Sequence, residues 1–255
     1  MSDVPVNDPP TNDPWARLRR VTRARIGLGR AGDALPTGAL LDFQLAHARA
    51  RDAVHTPFDT DALAAQLGGL PVVRVTSAAP SRAVYLQRPD LGRRLSPESA
   101  AALPSGPFDV AFVIGDGLSA TAVHAHAVPT LKAILTRLDG WSIAPIVLAT
   151  GCRVALGDEI GARLGAGMVA VLIGERPGLS AADSLGIYLT YDPKPGRRDS
   201  ERNCISNIHP PDGLGYGAAA DKLAWLMREA RRLKLTGVSL KDDAPALDAP
   251  PFDAP

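Results

Sequence analysis

Cysteine is nearly absent. The 255 residues hold two, Cys152 and Cys204, too few for a disulfide framework and in keeping with a reducing cytosol. No apolar run approaches the roughly 18 residues that a membrane span needs. The opening Ser2-Asp3-Val4-Pro5-Val6-Asn7-Asp8 lacks the basic and apolar regions of a signal peptide. Neither sign of charge is in excess, with 28 Lys and Arg against 27 Asp and Glu. No basic block is long enough to track a phosphate backbone, which argues against a nucleic-acid partner. Arg17-Leu18-Arg19-Arg20 reads as a solvated helix face. H-E-x-x-H, C-x-x-C, G-x-S-x-G and any internal repeat are all missing. The sequence is that of a soluble cytoplasmic protein with no membrane partner.

What is present changes character near residue 70. Residues 1–14 and the tail 241–255 are rich in Pro, Asp, Asn and Ala and are expected to be disordered. Residues 15–70 read as a small helical region. It has helices near Trp15–Arg23, from Thr37 to about Val54, and after Asp59-Thr60, where a side-chain cap is available. Gly68-Gly69 stops the last of these. From 71 to 240, strands alternate with helices. Val72–Val75, Val110–Ile114, Ile146–Ala149, Met168–Ile173 and Ile187–Thr190 are the strands, several of them uninterrupted apolar runs that suit a parallel sheet covered on both faces. Helices are expected at Ser96-Pro97-Glu98, at Ser119–Leu138 with an interruption at Pro129, at Asp158–Leu164 and at Tyr216–Leu235. The fold class is α/β: a Rossmann-like, mostly parallel sheet domain preceded by the helical region.

The stretch Gly167–Leu179 organises this reading. A strand buried on both faces runs into Gly174-Glu175-Arg176-Pro177-Gly178. Pro177 and Gly178 suit a type II turn, with Gly178 supplying a positive φ. Glu175 then stands at the carboxyl lip of the sheet, where open α/β sheets bind ligands. It reads either as one half of an ion pair with Arg176 or as an acceptor for ligand amides. Gly27-Leu28-Gly29-Arg30-Ala31-Gly32 matches G-x-G-x-x-G in letters. Basic residues precede it rather than a strand, so it reads as a glycine-bearing loop that meets another surface, and a Rossmann-type oxidoreductase is disfavoured. His124 and His126 are two apart on a helix, point to different faces and cannot share a metal. Asp116, Ser119 and His124 lack a nucleophile elbow, and Ser119 reads as a helix cap. Cys204 reads as a small buried hydrophobe or, given the polar neighbours Ser206, Asn207 and His209, as part of a ligand wall.

Taken in order, Arg25–Gly32, Asp90–Leu95, Asp116–Ala120, Gly167–Leu179, Ser184–Tyr188 and Cys204–His209 resemble the small (light) subunit of ethanolamine ammonia-lyase. The resemblance runs from about Ile26 to Gly237. It implies a two-subunit adenosylcobalamin enzyme that converts ethanolamine to acetaldehyde and ammonia by radical chemistry. In that family a large TIM-barrel subunit carries substrate and catalysis, and the light chain forms a Rossmann-like floor under the corrin. Val154, Glu175 and Cys204 match the family's small-subunit cobalamin contacts, and Asp116 to Ser119 is a weaker candidate for the same wall. The resemblance implies no catalytic or metal-ligating residue on this chain. D-x-H-x-x-G is missing, so no histidine here is expected to ligate cobalt and the cofactor is expected base-on. Related systems are packaged in a bacterial microcompartment, whereas the N-terminal segment here is proline-rich rather than an amphipathic helix. The other reading weighed against this one is a free-standing cobalamin or nucleotide carrier.

Overall fold

The computed structural model describes residues 13–22 and 24–241. Two helices that contribute no residue to the two buried cores come first: α1 (Ala16–Val21) and α2 (Thr37–His55). They are followed by α3 (Thr60–Gln66), β1 (Val72–Thr76), α4 (Arg82–Gln87), α5 (Pro97–Ala102) and β2 (Phe108–Gly115). Then come α6 (Ala120–Leu135), β3 (Ile146–Thr150), α7 (Leu156–Leu164), β4 (Ala166–Gly174), β5 (Leu185–Tyr191), β6 (Asn203–Ile208) and α8 (Tyr216–Leu233). Residues 1–12 and 242–255, where disorder is expected, lie outside the described residues.

Helix starts follow side-chain chemistry. Asp59 accepts from the Asp61 and Ala62 N–H groups, Ser81 from Val84, Ser96 from Ser99 and Ser119 from Ala122. Each side chain satisfies a donor that the first helical turn leaves open. The expected break at Pro129 does not occur: α6 runs through it. The Thr130 hydroxyl donates to the His126 carbonyl at 2.6 Å. Val123, Val128, Leu131 and Ile134 are all buried around it. That burial outweighs the roughly 3 kcal/mol a helical proline costs.

The six strands form one sheet in the order β1-β3-β2-β4-β5-β6. β1, β3, β2 and β4 are mutually parallel, whereas β4–β5 and β5–β6 are antiparallel. The architecture is α/β with a mixed, mostly parallel sheet, compatible with the Rossmann-like expectation except at its last two strands. The reason lies in chain length. Residues 175–184 join β4 to β5 without a helix, short of the dozen or more residues a parallel crossover takes.

The two faces are covered unequally. On one, α3, α6 and α8 pack over the whole width, burying Leu63, Leu131, Leu223 and Met227 against Phe112, Leu172, Ile187 and Ile205. On the other, α7 packs on β2 and β4, with Leu156, Ile160 and Leu164 against Val113, Val147, Val169 and Val171. That second core includes no fully buried residue of β5 or β6; Tyr188 is packed against it only in part. Alternate residues of a strand face opposite ways. With Ile187, Leu189 and Ile205 in the first core, Tyr188 and Cys204 face the uncovered side.

Candidate functional site

The loops after β2 and β3 lead to α6 and α7, which lie on opposite faces of the sheet. The crevice between such neighbouring strand ends is where open α/β sheets take ligands. Asp116 closes it from below, its Oδ1 accepting the Cys152 N–H at 2.8 Å and its Oδ2 facing Arg82 Nη1 at 3.1 Å. Burial pushes the Asp116 carboxyl pKa up, opposed by the Cys152 N–H and Arg82. Gly117 follows with φ +54°, and a Cβ there would lie 2.2 Å from the Gly174 carbonyl. The Leu118 N–H donates to that same carbonyl at 2.9 Å. Only a glycine lets the β2 loop sit so close to the end of β4. Within the Asp116–Ser119 stretch, Gly117 and Leu118 therefore enter the wall. Asp116 and Ser119 turn inward, Ser119 capping α6 and donating to the Ala182 carbonyl at 2.9 Å.

Two adjoining hollows lie over this rim. One, about 450 Å³, is lined by Tyr85, Gly117, Leu118, Arg153, Val154, Glu175, Arg176 and Tyr188, among others. The other, about 360 Å³, includes Arg93, Val154, Tyr188, Arg202 and Cys204. Arg153, Val154 and Tyr188 line both, so they make one groove with Glu175 at one end and Cys204 at the other. Larger hollows of about 650 and 610 Å³ contain none of Val154, Glu175 and Cys204.

Val154 is half-buried in the turn that leads into α7 and supplies aliphatic surface. Glu175 follows directly on β4 and folds back over Gly186, where a Cβ would lie 2.8 Å from its Oε1. Its Oε2 accepts the Ser184 hydroxyl at 2.6 Å and the Asn207 N–H at 3.4 Å. No hydrogen bond reaches Oε1 among the described residues, and Arg176 is not within ion-pair distance of it. Glu175 is therefore not half of an ion pair with Arg176; within the chain it accepts from Ser184 and Asn207. Gly178 does not take the expected positive φ. Its N–H instead donates to the Ala181 carbonyl at 2.8 Å, so residues 178–181 close a turn of their own.

Cys204 is not the buried hydrophobe that one reading allowed; it is exposed on β6, opposite Tyr188 of β5. Enough protein surrounds its sulfur that burial pushes the thiol pKa up, with the Tyr188 phenol opposing. The Tyr188 phenol is itself pushed up by burial and by Cys204. Both groups are protonated at neutral pH, and a hydrogen bond joins them in the wall of the groove. Beneath them Arg202 meets Asp158 through two bonds of 2.5 and 2.8 Å, both side chains almost fully buried. This fork ties the first turn of α7 to the start of β6 beneath the groove.

Other sequence candidates lie elsewhere. His124 accepts the Asp59 N–H at 3.0 Å. His126 meets the Tyr216 hydroxyl at 2.9 Å, so the two histidines do face apart. The glycines of 27–32 follow no strand. Gly27 instead packs on Trp15, where a Cβ would come within 2.2 Å of the ring. Among the described residues no cluster of His, Cys, Asp and Glu could hold a metal ion, and no helix is long and apolar enough to cross a membrane. Sequence reading missed Tyr188, Tyr85 and Arg153. The strand Leu185-Gly186-Ile187-Tyr188-Leu189-Thr190 alternates, and that alternation could have exposed Tyr188 as the residue on the open face.

Comparison with known proteins shows the family. The family model Ethanolamine ammonia-lyase light chain (EutC) matches residues 12–241. The ethanolamine ammonia-lyase small subunit of Pseudomonas fluorescens is 55% identical, covering 96% of this chain and 91% of that protein. That of Azotobacter vinelandii is 56% identical over 96% and 93% of the two chains, and that of Rhodopseudomonas palustris 57% over 92% of each. The match spans every element that builds the groove, and the chain belongs to the ethanolamine ammonia-lyase light-chain family.

Proposed function

We propose that this chain is the light chain of an adenosylcobalamin-dependent ethanolamine ammonia-lyase, which converts ethanolamine to acetaldehyde and ammonia. On this reading the chain forms one wall of the cobalamin site, and a large subunit carries the substrate and the catalytic residues. The observation that supports it most is the composition of the groove. A corrin is a broad apolar disc fringed with carboxamides, so its wall needs aliphatic surface interrupted by single donors and acceptors. Val154 offers the aliphatic contact, the unengaged Glu175 Oε1 an acceptor for a carboxamide N–H, and Cys204 a thiol beside the Tyr188 hydroxyl. The adenosylcobalamin supplies the radical chemistry when bound; the protein's share is binding, orientation and exclusion of water.

A second chain is supported by surfaces that this chain leaves bare. α2 has 19 residues, of which only Ala53 is buried. Leu40, Leu41, Phe43 and Leu45 stand 40–57% exposed along it. A helix of that length is marginal in water without tertiary packing, and exposed apolar stretches of this kind mark interaction surfaces. The same helix adjoins the rim: Ala46, Arg49 and Asp52 share a hollow with the 178–183 loop that follows Glu175. A large subunit that closes over the groove therefore meets α2 as a continuation of the same surface.

Co-expression with the large subunit tests the reading. Deamination of ethanolamine is expected only with both chains and adenosylcobalamin present. Full activity from the large chain alone would overturn it.

A further inference from the structure

We infer that Arg153 is the anion-recognising residue of the groove and holds the phosphodiester of the cofactor's nucleotide loop. The inference rests on the cobalamin reading and adds a charge requirement to it. The corrin's carboxamides are neutral, and the loop carries a single negatively charged phosphodiester.

Arg153 sits between the two halves of the groove and lines both. Its guanidinium lies 4.3 Å from the centre of the Tyr85 ring. That ring is buried, and its hydroxyl donates to the Cys152 carbonyl at 2.9 Å. Below, Gly92 leaves the room: a Cβ there would come within 2.8 Å of the Arg153 Cγ. The backbone is pinned as well, the Arg153 N–H donating to the Gly92 carbonyl at 2.9 Å. The stem and the plane of the guanidinium are thus fixed before any ligand arrives, which lowers the ordering cost of binding.

The polar end of this side chain is poorly satisfied. One long bond, 3.3 Å from Nη2 to the Tyr85 carbonyl, is its only hydrogen bond among the described residues. The Nε N–H is buried without a partner. No carboxylate of the described residues lies within 4 Å of it, whereas two neighbouring arginines, Arg82 and Arg202, are paired. Arg82, on the same Tyr85 ring at 4.8 Å, is held by Asp116 and by the Gly117 carbonyl. Arg202, at the floor of the groove, is held by Asp158. Arg93 and Arg176, at the two ends of the groove, also lack ion pairs among the described residues. Glu175 lines the same hollow, with its Oε2 engaged by Ser184. A half-buried cation without a counter-ion is destabilising. An anion entering the groove relieves that cost and receives charge-assisted hydrogen bonds in return.

The test compares two ligands in the complex with the large subunit: cyanocobalamin, and dicyanocobinamide, which keeps the corrin and its carboxamides but lacks the phosphodiester loop. Binding is read from the corrin absorbance, with thermal melting as a folding control. Arg153→Met is expected to weaken cyanocobalamin by about 10- to 100-fold and to leave dicyanocobinamide unchanged, and Arg153→Lys to recover part of the loss. Cyanocobalamin affinity of the unaltered complex is expected to fall with added salt, and Arg153→Met to remove that dependence. The salt series decides the matter if dicyanocobinamide binds too weakly to measure or if one variant fails to fold. Equal weakening of both ligands would make Arg153 a prop for Tyr85, and no weakening, or a salt dependence untouched by the variant, would remove its role; each overturns the inference. An unaltered complex that bound neither ligand would instead defeat the cobalamin reading itself.

Discussion

The ribbon formed by β5 and β6 has two sides with opposite fates. On one, α8 lays Leu223, Met227 and Ala230 over Ile187, Leu189 and Ile205, and all six are buried. On the other, Tyr188 is half-covered and Cys204 exposed, with α7 stopping at β4. The same two strands are thus an ordinary core on one side and a bare wall on the other. The difference teaches where burial within this chain ends. The sealed side is stable by burial; the bare side is shaped by an ion pair at its root and left open. The helices repeat the contrast: α8 buries seven residues and α2, of nearly equal length, buries one.

The largest effect that sharpens this comparison belongs to the sealed side. Leu223→Ala removes a fully buried side chain and is expected to cost about 2–5 kcal/mol in urea unfolding. A loss below about 0.5 kcal/mol, the scale of a surface change, would mean that α8 does not seal the ribbon. On the bare side the expected losses are in binding. Glu175→Ala is expected to weaken cobalamin in the assembled complex by about 1–3 kcal/mol, as for a lost polar partner, and unchanged affinity would take Glu175 off the wall. A smaller effect sits where the sealed side meets the rim. Burial holds the His126 pKa below its usual 6.5, with Asp183 opposing and His209 adding to the depression. The unfolded chain then takes up a proton that the folded one resists. This share of the stability is complete above about pH 6.5 and is lost as the pH falls from there toward the depressed folded value. The drop in melting temperature between pH 7.5 and 5.5 should therefore shrink in His126→Gln, and an identical drop would show that His126 is not the group responsible.

Legibility in the sequence follows the same division. Val110–Ile114, Ile146–Ala149 and Met168–Ile173 were readable as strands because both of their faces are buried, which leaves an unbroken apolar run in the chain. The capping residues Asp59, Ser96 and Ser119 were readable because a cap is a local event. β6 was not, since Ser206 and Asn207 face solvent at a sheet edge and Asn207 takes φ 64°, which interrupts any regular period. The antiparallel direction of β5 follows from the short 175–184 connection rather than from the strand's own residues. Val154, Glu175 and Cys204 came from family resemblance, and the fold brings them to one groove. Arg153 and Tyr85 carry no local signal: they meet only because α4 and the β3–α7 connection, far apart in the chain, fold onto the same rim.

The sharpest measurement uses the chain's two cysteines, since Cys152 is fully buried and Cys204 is exposed on the bare side. In the complex with the large subunit, thiol modification of Cys204 is followed by mass spectrometry with and without cobalamin, Cys152 serving as the internal unreactive reference. The account predicts that Cys204 labels in the cofactor-free complex and is slowed by about 100-fold at a cobalamin concentration roughly 100 times Kd. Labelling of Cys204 at the same rate with and without the cofactor would contradict it.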